Sequence, residues 1–377
     1  MNTSKKYFEN LDALRFFAFF TVFISHAIIS NSIDISSLSL FIKIKSFTEI
    51  GFLGLDFFFV LSSFLITWTI FEEYQNSKSF NFKNFFVRRT LRIWPLYFLI
   101  VLLGFLTYFF SNVYFNQTIS VIPNIIYFVG FILNFYIIKN GQEFLFFLVF
   151  LWSIAVEEQF YLFWALILKI ARKYFIVITT LLIICSLIFR WYYIHDSNQL
   201  YFNTISIFSN FGIGGLFAYL VFKTRLQNSI TLLSKKTIVI VYLLLLLSLI
   251  FFQEIFSLPF LVIFQKLWFS LLFVFIILEQ SFSTHSFLKV KNIPLINYLG
   301  KISYGLYCFH GVVITILIKL LEQLHFTETY WHVFLLYPLI ILVFSILFAH
   351  LSFRYFENYF LKLKAKFYTF TNHKIQQ

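Results

Sequence analysis

The chain has 377 residues, of which 60% are hydrophobic and only 12% charged, and its mean hydropathy is +0.85. A soluble fold of this length does not need so much apolar surface, and repeated apolar stretches of about 20 residues predict an all-α polytopic membrane protein. The net charge of +13 is mostly carried by loops beside these stretches, so it reports topology, and we expect no nucleic-acid partner.

Ten apolar stretches predict a bundle of about ten transmembrane helices. Their approximate bounds are 11–30, 51–71, 93–111, 146–168, 174–193, 204–222, 237–252, 259–279, 298–320 and 331–353. An eleventh stretch, 121–138, contains Pro123, Gly130 and Asn134, and is either a span or a re-entrant element. Counting it as a span places the later basic loops on the opposite side from the earlier ones. The positive-inside rule therefore favours ten spans and a partly re-entrant outer element.

The same rule gives the orientation and the domain organisation. With ten spans, both termini and the most basic loops lie on the cytoplasmic side of the membrane. We expect residues 1–362 to form one integral membrane domain and residues 363–377 to form a basic cytoplasmic tail.

The first span, LDALRFFAFFTVFISH, carries Asp12, Arg15 and His26 in an otherwise apolar run. On a helix the three share one flank, and Asp12 and Arg15, three residues apart, are expected to form an ion pair. A rise of about 1.5 Å per residue puts His26 roughly 16–21 Å from the other two. Ionisable groups inside a span usually face the protein interior and mark a site or a pathway. The alternative is that Asp12 and Arg15 lie at the membrane interface and that His26 only packs inside the bundle.

The second span opens with Gly51, Gly54 and Asp56. Glycines near the end of a span allow close helix approach or a local break. A carboxylate such as Asp56 in an apolar run is costly unless it is paired or hydrated.

A basic cluster, FFVRRTLRIWPLY, precedes the third span. Arg89 and Arg92 are three residues apart, so they are neighbours on one helix face. Two guanidinium groups placed in this way can bind a phosphate bidentately, which lysine cannot do. The alternative is a cluster that only fixes topology.

Adjacent carboxylates, Glu157 and Glu158, lie in the fourth span. Neighbouring helical residues point about 100° apart, so we expect only one of them to face a shared cavity. A carboxylate facing His26 would hold one imidazole tautomer and raise its basicity. Alternatively, one of the pair faces lipid headgroups or binds a neighbouring backbone group.

The last two spans also carry polar residues. In the ninth span these residues share or adjoin one helical face: Ser303, Tyr304, Tyr307 and His310. They can line a polar cavity or hydrogen-bond across helices, and we favour the structural role. Arg354 and Glu357, at the end of the tenth span, are expected to form an ion pair at the interface.

Six motifs in this order resemble the membrane-bound acyltransferase 3 family, from Leu11 to about Glu357. They are LDALRFFAFFTVFISH, GLDFFFVLSSFLI, RRTLRIWPLY, WSIAVEEQFY, GKISYGLYCFH and FRYFEN. Ser63 stands where the family usually has the glycine of Leu-Ser-Gly-Phe. Asn358 and Tyr359 stand where a proline often follows the final glutamate. Neither departure touches a proposed catalytic group.

The resemblance implies transfer of an acyl group, commonly acetyl from acetyl-CoA, to a hydroxyl of an extracytoplasmic glycan. By the same resemblance, His26 matches the family's essential histidine and Glu157 its glutamate in the fourth span. Arg89 and Arg92 match its cytoplasmic Arg-x-x-Arg pair. The chain is similar to stand-alone bacterial members of the inner membrane that modify O-antigen of lipopolysaccharide, capsule or other exopolysaccharide. We expect no permanently bound cofactor, no metal, and three partners: acyl-CoA, a lipid-linked or surface glycan, and membrane lipids.

These expectations combine into one hypothesis. Arg15, Arg89 and Arg92 bind the phosphates of acyl-CoA, whose pantetheine arm threads the bundle towards His26. His26 deprotonates the acceptor hydroxyl or is transiently acylated, and Glu157 orients it. Backbone near Gly51 and Gly54 would stabilise the oxyanion. The expected supporting residues are Asp12, Asp56, Glu158, Ser303, Tyr304, Tyr307 and His310.

Two other functional classes fit the same composition. A transporter or flippase of a lipid-linked glycan would also carry intramembrane ionisable groups, but it would more often show internal repeats, which this sequence lacks. A non-catalytic membrane subunit of a polysaccharide assembly system would tolerate alanine at His26.

Overall fold

The structure is a computed structural model that describes residues 8–30, 32–114, 121–286, 289, 292–324 and 327–367. The regular structure of these residues is helical, with no β-strand among them. Ten long helices follow the ten predicted spans: α1 (Glu9–Ala27), α2 (Leu53–Ser77), α3 (Phe82–Tyr114), α4 (Leu151–Ile170), α5 (Phe175–Tyr192), α6 (Thr204–Lys223), α7 (Lys235–Ile250), α8 (Pro259–Phe282), α9 (Ser303–Leu324) and α10 (Tyr337–Ser352). The predicted all-α polytopic class is confirmed.

Short helical segments connect or extend the long ones. They are Ile33–Ser36, Ser39–Glu49, Ile50–Phe52, Ile125–Val129, Leu133–Asn140, Phe146–Val149, Arg172–Tyr174, Ser197–Phe202, Leu226–Thr231, Phe252–Ile255, Pro294–Lys301, His332–Leu336, Phe353–Glu357 and Asn358–Ala365. The predicted start of the tail at residue 363 falls inside the last of these helices, and residues 368–377 lie outside the described residues.

Eight helical stretches of the described chain are long and apolar enough to cross a membrane. The other two predicted spans, α1 and α7, are helices that fall short of this standard. α7 has only 16 residues, and polar side chains lower the hydropathy of α1. Because α2, α9, α10 and the helix Pro294–Lys301 pack around α1, its polar residues need not face lipid. Asp12 is buried and Arg15 and His26 are half-buried, so α1 can carry a site inside the bundle.

The stretch 121–138 forms two short helices joined at Gly130 and Phe131, neither long enough to cross a membrane. The turn packs into the bundle. The Tyr97 hydroxyl of α3 donates to the Phe128 carbonyl 3.0 Å away, and the Gln159 amide of α4 donates to the Phe131 carbonyl at 2.7 Å. This partly buried pair of short helices agrees with the predicted re-entrant element rather than with an eleventh span.

Glycines set the spacing of α2 against its two neighbours. A Cβ atom on Gly51 would lie 2.1 Å from the Thr21 carbonyl oxygen of α1, and a Cβ atom on Gly54 would lie 2.3 Å from the Ala18 carbonyl oxygen. The predicted close helix approach at these glycines is confirmed. On the other side of α2, a Cβ atom on Gly214 of α6 would lie 2.1 Å from Ser63 Oγ. The glycine of α6 thus makes room for the serine at the position where the chain departs from the family pattern.

Candidate active site

A cavity of about 110 Å³ lies between α1, α2, α3, α4 and α9. It brings together seven of the predicted site residues: Arg15, Arg89, Arg92, Glu157, Ser303, Tyr304 and Tyr307. A void of this size holds a thin chain or several water molecules, and is too small for a nucleotide. Ser153 and Tyr161, eight residues apart on α4, both line it, so the cavity extends about 12 Å along the helix axis.

Three guanidinium groups and one carboxylate line the cavity, so its charged side chains carry a net positive charge. Arg15 comes from α1, where it forms the predicted ion pair with Asp12. Arg89 and Arg92 come from α3, and the Arg89 guanidinium lies 5.4 Å from the centre of the Tyr161 ring. We call this end of the bundle the arginine end. Its balance of charge suits a bound anion.

Glu157 is held on α4 by a short hydrogen-bond chain. Its carboxylate accepts from the Tyr161 hydroxyl at 2.7 Å, and that hydroxyl lies 2.7 Å from Ser62 Oγ of α2. Tyr161 and Ser62 were not predicted from the sequence, because a hydroxyl on an apolar helix is common. Tyr161 lies one turn after Glu157, which is the spacing that could have suggested the pair.

Glu158 points away from the cavity, as expected for the neighbour of a cavity residue. One of its oxygens accepts from Trp94 Nε1 at 3.0 Å, while the other has no hydrogen-bond partner among the described residues. Only Glu157 of the pair lines the cavity, so the prediction that one carboxylate faces it is confirmed.

Two histidines meet beyond the opposite end of the cavity, in a region that we call the histidine end, and neither of them lines the cavity. The ring of His26, at the end of α1, and the ring of His310 on α9 have their centres 6.0 Å apart. Phe150 packs against both, at 4.7 Å from His26 and 4.6 Å from His310. Lys45 Nζ donates to the Ser25 carbonyl at 2.8 Å and so holds the last turn of α1. The sequence did not indicate that these two imidazoles lie side by side.

Glu157 does not hydrogen-bond to His26 in the described part of the chain. α4 begins one residue after Phe150, which lies beside His26, and Glu157 follows seven residues after Phe150. At about 1.5 Å per residue the carboxylate lies roughly 10 Å further towards the arginine end. The expected direct contact, in which Glu157 orients His26, is therefore wrong. The catalytic role of Glu157 stays a prediction.

The tyrosine hydroxyls of α9 bond to the backbone of neighbouring segments around the cavity. The Tyr307 hydroxyl donates to the Phe150 carbonyl at 3.0 Å and lies 2.7 Å from Ser153 Oγ. The Tyr304 hydroxyl donates to the Ile93 carbonyl at 2.8 Å. Tyr304 and Tyr307 therefore tie α9 to its neighbours, as the favoured structural role predicts, and at the same time line the cavity with Ser303.

Asp56 lies outside the cavity, in a buried group of charges that the sequence did not predict. Its carboxylate is 2.7 Å from Lys266 Nζ of α8, and both side chains are buried. Arg190 of α5, also buried, donates to the Val262 and Ile263 carbonyls of α8. A lysine seven residues inside an apolar run was the available signal for such a pair. This group ties α2, α5 and α8 together.

The expected ion pair between Arg354 and Glu357 is wrong. Residues 353–357 form a π-helical turn, whose wider repeat separates side chains three residues apart. Glu357 turns inward and accepts from Ser352 Oγ at 2.9 Å, while the exposed Arg354 lies over the ring of Tyr355.

The chain matches the sequence model of the acyltransferase 3 family, described as an acyltransferase domain, over residues 8–350. No solved structure matches the chain.

Curated relatives resemble the chain over most of its length. The peptidoglycan O-acetyltransferase OatA of Listeria monocytogenes is 26% identical over 400 residues, covering 97% of this chain and 59% of that protein. The O-acetyltransferase OatA of Staphylococcus aureus (strain MRSA252) is 27% identical over 402 residues, covering 99% and 60%. A protein of Staphylococcus aureus (strain COL), named only as a candidate O-acetyltransferase, is 28% identical over 335 residues, covering 83% and 53%. The chain spans little more than half the length of these relatives.

Proposed function

The chain belongs to the acyltransferase 3 family, and we propose that it is a membrane O-acetyltransferase that moves an acetyl group from acetyl-CoA to a hydroxyl of a cell-envelope glycan. The observation that carries this proposal is the arrangement of Arg15, Arg89 and Arg92 around one end of the cavity and of His26 and His310 beyond its opposite end. It combines an anion-binding end with a group able to accept a proton, which acyl transfer from a phosphorylated donor requires.

The donor enters from the cytoplasm in this proposal. Acyl-CoA is a cytosolic and strongly anionic thioester, and guanidinium groups bind phosphates bidentately. The cavity is too narrow for the nucleotide, which stays at the arginine end, while the thin pantetheine arm extends along the cavity towards the histidine end. The arginine end is then the cytoplasmic end of a plasma-membrane protein with both termini in the cytoplasm, in accordance with the positive-inside rule.

The chemistry takes place at the histidine end. One nitrogen of His26 accepts the proton of the acceptor hydroxyl as its oxygen bonds to the acyl carbon of the thioester. The bond from that carbon to sulfur then breaks, and the proton passes from His26 to the departing thiolate, which leaves as CoA. Protons and bonds balance, and His26 returns to its starting state.

The acceptor is proposed to be a sugar hydroxyl of an envelope polysaccharide such as O-antigen, capsule or another exopolysaccharide. The name of one relative, a peptidoglycan O-acetyltransferase, supports this class of acceptor. The half-buried position of His26 at the end of α1 supports access from outside the bundle.

Mass spectrometry of cell-surface glycans tests the proposal in cells that carry the wild-type chain, His26→Ala or no protein. We expect an added acetyl group only with the wild-type chain, and His285→Ala, which changes an exposed histidine outside the cavity, should act as wild type. The same glycan acetylation in all these strains, with each variant present in the membrane, would contradict acetyl transfer by this protein and favour a transporter or a non-catalytic subunit.

A further inference from the structure

His310 is a buried histidine with one unsatisfied nitrogen. Its side chain is fully buried, and Nδ1 lies 2.6 Å from the Tyr307 carbonyl oxygen one turn earlier on α9. Nε2 has no hydrogen-bond partner among the described residues. A buried polar atom without a hydrogen-bond partner lowers the stability of the folded state, so the presence of this one needs an explanation.

The bond to Tyr307 fixes which nitrogen carries the proton. A carbonyl oxygen accepts hydrogen bonds and cannot donate them, so the proton of neutral His310 lies on Nδ1 and the lone pair lies on Nε2. The unsatisfied atom is therefore an acceptor that needs an N–H or O–H donor.

Among the described rings that pack against His310, one offers a donor for that acceptor. Four described rings pack against it, those of Phe19, His26, Phe150 and Tyr307. The two phenylalanines have no donor, and the Tyr307 hydroxyl already donates to the Phe150 carbonyl at 3.0 Å. The remaining donor is the N–H of His26, whose ring centre is 6.0 Å away.

We propose that His310 is the positioning residue of His26, and this inference rests on the proposed function. His310 Nε2 accepts the N–H of His26, either after a small rotation of one ring or through a single water molecule, which the 6.0 Å separation of the ring centres accommodates. This bond fixes the tautomer of His26, so that its other nitrogen presents a lone pair to the acceptor hydroxyl. His310 thereby takes the part that the sequence assigned to Glu157.

A neutral acceptor suits this position. Phe19 and Phe150 pack against His310, and a carboxylate buried there would carry a large desolvation cost. Imidazole supplies the same lone pair without a buried charge. During transfer the hydroxyl proton moves to His26 and on to the leaving thiolate, while His310 only accepts a hydrogen bond and loses or gains no proton.

Three substitutions separate positioning from packing. In His310→Gln the side-chain carbonyl oxygen can replace the acceptor Nε2, whereas in His310→Asn the shorter amide can replace only the donor Nδ1. His310→Phe keeps a ring and removes both. We expect His310→Gln to keep kcat within about 10-fold of wild type and the other two to lose about 100-fold or more. The KM for acetyl-CoA should stay unchanged in all three.

If His310 only packs against its neighbours, His310→Asn should have a higher kcat than His310→Gln, because the asparagine keeps the bond to the Tyr307 carbonyl. Rates are measured per folded protein in proteoliposomes, with folding checked by thermal melting. Equal kcat in His310→Gln and His310→Asn, a faster His310→Asn, or an effect confined to KM would overturn the inference. An inactive wild-type chain would instead contradict the proposed function.

A second measurement leaves His310 unchanged. Histidine-selective ¹⁵N NMR of the wild-type chain should show an unprotonated Nε2 that accepts a hydrogen bond, and His26→Ala should shift that resonance. The same spectrum with and without His26 would overturn the inference, even if every His310 variant failed to fold and whatever the enzyme's activity.

Discussion

The arginines of the bundle differ in what their guanidinium groups contact. Arg190 donates to backbone carbonyls of α8 and to Ser206 Oγ, at 2.9 Å for the latter, so its donors serve the fold. Arg89 and Arg92 line the cavity, and Arg89 lies over an aromatic ring. The same residue type therefore has a structural role at one site and a position suited to a ligand at the other.

Replacing Arg89 and Arg92 together by alanine should raise the KM for acetyl-CoA by at least about 10-fold. The reason is that a hydrogen bond to a charged group contributes about 1.5–3 kcal/mol. Double lysine substitution should recover only part of the loss, because lysine keeps the charge but lacks the planar fork. Initial rates at varied acetyl-CoA in proteoliposomes measure both effects.

Arg354→Ala is the matched control, because it removes an exposed charge that does not line the cavity. Its KM should equal that of wild type. An unchanged KM in the double alanine variant would refute the phosphate-binding role of Arg89 and Arg92.

At the scale of helices, the buried pair of Asp56 and Lys266 joins α2 to α8. Removal of one partner from a buried ion pair leaves an uncompensated charge and typically costs about 3–5 kcal/mol, whereas apolar replacement of both is often neutral. We expect Asp56→Asn to lower the free energy of unfolding by about 3 kcal/mol, and Asp56→Leu with Lys266→Met to restore most of it.

Thermal melting in detergent compares these variants. Glu322→Gln serves as the control, because Glu322 pairs with Lys319 at 2.9 Å on an exposed face, where an ion pair contributes at most about 1 kcal/mol. Equal stability of wild type and Asp56→Asn would show that the pair does not hold the two helices.

Sequence periodicity predicted the positions of the helices along the chain better than the contacts between them. The ten long helices follow the apolar stretches, and the spacing of Asp12 and Arg15 predicted their ion pair. Periodicity gives the face of a residue on its own helix and not the neighbour that covers that face. This is why the partner of Asp56, the approach of His310 to His26 and the inward turn of Glu357 required the structure.

At the scale of the whole molecule, the site follows the long axis of the bundle. Arg15 and His26 are eleven residues apart on α1, about 16 Å along the helix, and the cavity occupies much of the space between their levels. The motifs that predicted these two ends lie in α1, α3, α4 and α9, far apart in sequence, so the resemblance of the ordered motifs indicated the site before any contact was known. Their arrangement separates the arginine end from the histidine end.

In the proposed reaction acetyl groups cross the membrane from the arginine end to the histidine end, and labelling of sealed vesicles of opposite orientation tests this direction of transfer. Labelled acetyl-CoA, which does not cross membranes, is added outside inverted vesicles, which expose the cytoplasmic face, and outside right-side-out vesicles. We predict labelled glycan inside the inverted vesicles, and none in right-side-out vesicles until detergent opens them. Labelling of intact right-side-out vesicles, or equal labelling of both, would contradict the account.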